Sequence, residues 1–185
     1  ISPAKHSAFS TPIELLQFVD RLRTLSGGKP TGFKFAVGHP WEWFGIAKAM
    51  VETGITPDFI VVDGGEGGTG AGPLVFTDHV ALPFKQAMAR VYREFAEAGL
   101  KDHIVFIGSG KLGFPESALF AFALGCDMVN VGRESLMAIG CIQAQKCHTD
   151  RCPAGVATQS EYLARAIEPE VQSLRYARFC QSLRN

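Results

Sequence analysis

A chain of 185 residues with 46% hydrophobic content is long enough for one domain with its own core, which excludes an intrinsically disordered segment. Its 18 basic and 18 acidic side chains cancel and form no like-charged blocks, so the charge pattern excludes nucleic acid and an anionic membrane surface as expected partners and leaves small molecules. No apolar run reaches the roughly 18 residues of a membrane-spanning helix, and five cysteines without a secretory leader argue for metal or redox use rather than a disulfide framework. A cytoplasmic location is expected. The first residue is Ile1, so the chain is also expected to be a piece of a longer protein.

Residues 1–10 read as an entering loop. Thr11-Pro12-Ile13-Glu14 is a helix start: Thr11 caps, Pro12 suits the first turn and Glu14 closes a capping box. Leu15, Leu16, Phe18, Val19 and Leu22 then share one face until Ser26-Gly27-Gly28 ends the helix. Residues 33–37 form a short aromatic and β-branched strand with Lys34 inside it, cut off by Gly38-His39-Pro40. A helix over 41–51, closed by Gly54, leads to the apolar strand Phe59-Ile60-Val61-Val62, which has the look of a parallel strand covered on both faces. The glycine-rich loop 63–72 follows, then a helix from Phe84 to Ala98 with Met88, Val91, Tyr92 and Phe95 at helical spacing. The cycle repeats with a strand over 104–107, a Gly108-Ser109-Gly110-Lys111 turn, a helix from Pro115 to Leu124, and a last strand, Met128-Val129-Asn130-Val131, that reads as buried. Residues 160–185 read as an amphipathic helical extension, broken near Pro169 and packed on the outside. Four strand–loop–helix units in a row make an α/β protein with a parallel sheet, either open and doubly wound or part of a barrel, of which four units are half. Residues 1–159 are expected to form that half-barrel and residues 160–185 the extension.

The polar residues of interest all follow strands, where a barrel builds its site. Six glycines in residues 63–72 allow a backbone to approach a planar or anionic ligand closely, yet no Gly-Lys-Ser/Thr follows and the Rossmann spacing is absent. Gly132-Arg133, at the end of the last strand, is a candidate phosphate grip. Lys34 either reaches solvent or points into the site, where it would neutralise a reduced ring or a substrate carboxylate. Cys141, Cys147 and Cys152 are separated by five and four residues on a loop interrupted by Pro153 and Gly155. By spacing alone they hold an iron–sulfur cluster, take His148 as a fourth ligand to zinc, or hold no metal. Cys126 reads as a buried core thiol.

Asp63-Gly64-Gly65-Glu66-Gly67-Gly68-Thr69-Gly70-Ala71, followed by Gly140-Cys141-Ile142-Gln143-Ala144-Gln145-Lys146-Cys147-His148-Thr149-Asp150-Arg151-Cys152-Pro153, resembles the FMN-binding synthase domain of glutamate synthase and its stand-alone relatives. The resemblance covers essentially the whole chain, from Ile1-Ser2-Pro3 onward. It implies a (β/α)8 TIM barrel, of which this chain is the C-terminal half, strands five to eight. It also implies FMN at the C-terminal ends of the strands, with a 3Fe-4S cluster beside it. Cys141, Cys147 and Cys152 would ligate the cluster, and Lys34 and Glu66 would be the catalytic residues. Asp63, Gly64, Gly65, Glu66, Gly67, Gly68, Thr69, Gly108, Ser109 and Gly110 would line the flavin together with Lys34, and Gly132 and Arg133 would hold its phosphate.

The activity implied is reductive amination of 2-oxoglutarate with ammonia: 2-iminoglutarate receives a hydride from reduced FMN and becomes glutamate, with electrons from ferredoxin or an NADPH-linked reductase. The turn at Gly108-Ser109-Gly110-Lys111-Leu112 and the strand end Asn130-Val131-Gly132-Arg133 depart from the large synthases and are closer to the stand-alone branch, and nothing resembles a glutaminase domain. Two rivals stand beside this expectation. One is an FMN oxidoreductase acting on another 2-oxo or 2-hydroxy acid; the other is a non-catalytic half-barrel that associates through an open sheet edge.

Overall fold

The structure, a computed structural model, describes residues 5–67, 72 and 75–185; Gly68 and Thr69 of the glycine loop, and Ile1-Ser2-Pro3, lie outside the described residues. Helix α1 (Pro12–Leu25) opens the chain with the expected capping box, Thr11 Oγ1 accepting from the Glu14 N–H at 3.2 Å while Glu14 Oε2 accepts from the Thr11 N–H at 3.0 Å. Strand β1 (Gly32–Ala36) leads to α2 (Pro40–Thr53), which ends on Gly54 in the left-handed conformation that glycine adopts without a Cβ penalty. Strand β2 (Phe59–Asp63), α3 (Phe84–Glu97), β3 (Val105–Ser109), α4 (Pro115–Ala123) and β4 (Met128–Asn130) complete the alternation. Helix α5 (Arg133–Ala138), α6 (Glu161–Ala164) and α7 (Pro169–Arg184) follow.

The four strands are all parallel and lie in the order β1-β2-β3-β4. Sequential order in an all-parallel sheet is what one arc of a β/α barrel shows, so the architecture is compatible with half of one. Because side chains alternate across a strand, the register decides what each face carries. Phe33, Phe35, Ile60, Val62, Phe106 and Val129 pack into the core beneath α2 and α3, with Trp43, Met50, Met88 and Phe95. The rings interlock edge to face: Trp43 with Phe35 at 5.3 Å, and Phe95 with Phe106 at 5.6 Å. The other face carries the rung Lys34, Val61, Ile107, Met128 and above it the rung Ala36, Asp63, Ser109, Asn130.

One expectation needs correction. The last strand is not buried: β4 ends at Asn130, pairs with β3 alone among the described residues, and leaves Met128 56% exposed on the face opposite α2 and α3. Helix α7 contacts α5, with Leu174 among its exposed residues.

One buried charge sets a pH dependence. Glu94 on α3 is buried with Oε2 unpartnered among the described residues, and desolvation raises its pKa above the usual carboxylate range. With the folded pKa above the unfolded one, the folded state pays for the charge at neutral pH and is relieved as pH falls through the folded value toward the unfolded one. Glu94→Gln is therefore expected to raise the melting temperature at pH 7, a gain that shrinks toward pH 4 in parallel thermal melts.

Candidate functional site

Two cavities adjoin at the C-terminal ends of the strands. The first, of about 320 Å³, gathers residues from β1, β3 and β4 and from the segments after β2, β3 and β4: Lys34; Glu66 and Gly67; Ser109, Gly110 and Lys111; and Asn130 through Glu134. The second, of about 300 Å³, is lined by Cys141, Cys147 and Cys152 with Asp78, His79 and the 142–146 backbone turn. Arg133 lines both.

Lys34 reaches neither bulk solvent alone nor empty space. Its Nζ lies 2.9 Å from Asp63 Oδ2, one strand over and one rung up, where the register of β1 and β2 brings the two together. Asp63 Oδ1 is buried without a hydrogen-bond partner among the described residues, so Lys34 is the charged partner the structure gives this carboxylate. Lys111, in the left-handed conformation, turns its Nζ to Asp78 Oδ1 at 3.6 Å.

Glu66 is fixed by a helix start. Both of its carboxylate oxygens accept from the N–H of Phe84, the first residue of α3, at 3.0 and 2.9 Å. The carboxylate thus serves the N-terminal end of α3, where anions are favoured, and also walls the first cavity. Gly64 makes this possible. A Cβ there would run into Glu66 Oε2 and stand 2.7 Å from both N and Cβ of Phe84.

Of the other expected residues, Asp63, Gly64 and Gly65 lie beside the first cavity, along a shallower pocket with Gly67. Gly108 lies beneath it, where a Cβ would meet Phe84, Cys126 and Leu112. Gly132 opens onto free space, so a ligand can approach its backbone. Glu134, Lys111 and Asp78 were not among the expected site residues. No pattern in the sequence sets Glu134 apart, and only the fold reveals that it is buried.

The cysteine loop is closed by Asp150, whose Oδ1 accepts from Gln159 N at 2.5 Å and from Thr158 Oγ1 at 3.1 Å. Between these ties sits Cys152. The N–H of Ala157, aided by those of Ala154, Val156 and Gly155, lowers the pKa of its thiol against the upward push of burial. Cys141 Sγ accepts from Gln143 N at 3.4 Å. Among the described residues no three His, Cys, Asp or Glu side chains are gathered as a ready-made site for a metal ion. Cys141, Cys147 and Cys152 all line the second cavity. Cys126 is the buried core thiol expected, its pKa pushed up to about 12 by desolvation and then by Asp127.

Among the described residues no helix is long and apolar enough to cross a membrane. A protein family described as a conserved region in glutamate synthase matches residues 1–185. The glutamate synthase large subunit-like protein YerD of Bacillus subtilis is 41% identical over 99% of this chain and 35% of its own length. An archaeal glutamate synthase [NADPH] of Methanocaldococcus jannaschii is 36% identical over 96% of this chain and 34% of its own. The glutamate synthase [NADPH] large chain of Bacillus subtilis is 31% identical over 89% of this chain and 11% of its own. The chain spans about a third of the length of the first two. The match from end to end places the chain in the glutamate synthase family.

Proposed function

We propose that this chain carries the FMN and iron–sulfur part of a glutamate synthase-type oxidoreductase that reductively aminates 2-oxoglutarate with ammonia. The observation that carries the reading is the pair of adjoining cavities with Arg133 in the wall of both. The first fits a flavin phosphate and ring: it is lined by Lys34, Lys111 and Arg133, and its glycine walls leave backbone open at Gly132. The cluster reading of the second draws on its three lining cysteines and on backbone N–H groups turned toward two of the sulfurs.

Bound there, FMN would supply hydride transfer and a 3Fe-4S cluster one-electron transfer. Cys141, Cys147 and Cys152 would ligate the cluster, and Gly132 and Arg133 would neutralise the flavin phosphate. Lys34, already oriented by Asp63, would hold a carboxylate of 2-oxoglutarate or charge on the ring. Glu66 would act as a wall and fixed anion, its oxygens kept in place by α3. The relatives named for NADPH favour an NADPH-linked reductase over ferredoxin as the electron donor.

The test is an anaerobic absorption spectrum with iron and acid-labile sulfide assayed on the same sample. Flavin and cluster absorbance are expected together, and Cys152→Ser is expected to abolish the sulfide and iron signal while flavin remains. Absence of both chromophores would sink the reading. A second reading, a non-catalytic module that self-associates, draws on the open edges of β1 and β4 in a chain spanning a third of its relatives. A mass that rises with concentration in an inert sample would favour it.

A further inference from the structure

We infer that Glu134 is the binding group for a small nitrogen cation, ammonium or a primary amine, in the first cavity. Glu134 is 4% exposed, lines that cavity, and leaves Oε2 without a hydrogen-bond partner among the described residues. Its stem is held by Gly113, at which a Cβ would come within 2.5 Å of Glu134 Cβ, 2.6 Å of Cγ and 2.8 Å of Cδ. Any side chain at 113 would displace the carboxylate, so the site is built around it.

The other charges that line the cavity are already committed. Lys34 is held by Asp63 and Lys111 by Asp78, Glu66 places both oxygens on the Phe84 N–H, and Arg133 has a partner of its own. A carboxylate oxygen only accepts, and a buried acceptor left empty costs the full desolvation of the group. The missing partner is therefore a donor that enters with the ligand. A cationic N–H donor makes the stronger, charge-assisted bond with a buried anion. Ammonium has the further merit of being small enough to share the cavity with a larger ligand. The inference deepens the proposed function, on which its catalytic meaning rests: it locates the nitrogen substrate of that reaction.

The experiment is a titration of the full chain with 15N-ammonium chloride, sodium chloride holding the ionic strength constant, read by broadening of the ammonium resonance. FMN affinity is measured separately by quenching of flavin fluorescence. Wild type is expected to bind ammonium saturably, and Glu134→Gln to weaken it by roughly 10- to 100-fold with FMN affinity unchanged. Glu134→Asp, which keeps the charge but withdraws it by one methylene, must weaken ammonium too and decides the matter should the glutamine variant not fold. No saturable binding in wild type, or unaltered binding in the variants, overturns the inference. So does loss of FMN with ammonium retained, which would assign Oε2 to a flavin hydroxyl. Should FMN fail to bind while ammonium binding stays saturable and dependent on Glu134, the proposed function falls and this site stands.

Discussion

Lys34→Met is expected to lower turnover of 2-oxoglutarate and ammonia by about 10²- to 10³-fold, the usual loss when one fixed charge-stabilising donor is removed, while FMN stays bound. The ammonium is the single lysine on the rung that β1, β2, β3 and β4 share, and Asp63 fixes it at 2.9 Å. Methionine keeps the length and packs against Val61 and Ile107, so the sheet is expected to hold. Arginine keeps the charge but spreads it over a planar fork that the Asp63 contact does not match, so Lys34→Arg should recover only part of the rate. The loss should fall on kcat and on KM for 2-oxoglutarate, not on flavin affinity, because Gly132 and Arg133 on the far side of the cavity carry the phosphate in this reading. Steady-state kinetics of the two variants beside flavin fluorescence titrations check this. Unchanged turnover in Lys34→Met would remove Lys34 from the chemistry.

Much of the fold was legible because local signals agreed with tertiary structure. The Thr11 capping box, the left-handed Gly54 and Gly99, and the prolines at helix starts each fix an element boundary within a few residues. What sequence could not show was which elements have neighbours. Met128 reads as buried because it is apolar, yet among the described residues β4 pairs with β3 alone and Met128 is exposed. Of the site, Lys34, Glu66, Gly132, Arg133 and the three cysteines were legible as types in positions after or within strands, and the fold gathers them into two adjoining cavities. Their partners were not legible. The Lys34–Asp63 pair depends on strand register, the Glu66–Phe84 bond spans 18 residues, and the burial of Glu134 depends on Gly113 twenty-one positions earlier. None of these distances in sequence carries a periodicity that could announce them.

Phe84→Ala is expected to cost about 3–5 kcal/mol, as truncation of a buried phenylalanine does, and to cost flavin affinity in addition. Phe84 is 1% exposed and stands under the site as well as in the core. Its N–H holds Glu66, and its Cβ and ring fill the space that side chains at Gly64, Gly108 and Gly110 would need. Removing the ring leaves a cavity into which the backbone at Gly108 and Gly110 can relax, and with them the wall of the first cavity. Against a total stability of about 5–15 kcal/mol, the loss should lower the melting temperature by roughly 10 °C. Phe106→Ala serves as the comparison, since Phe106 is equally buried but packs against Tyr92 and Phe95, away from Glu66. The two alanine variants are expected to melt at similar temperatures, while only Phe84→Ala binds FMN weakly below the melt. Phe84→Leu, which keeps most of the volume, should restore affinity before it restores stability. Equal flavin affinity in Phe84→Ala and Phe106→Ala would mean that the wall of the first cavity does not depend on the Phe84 ring.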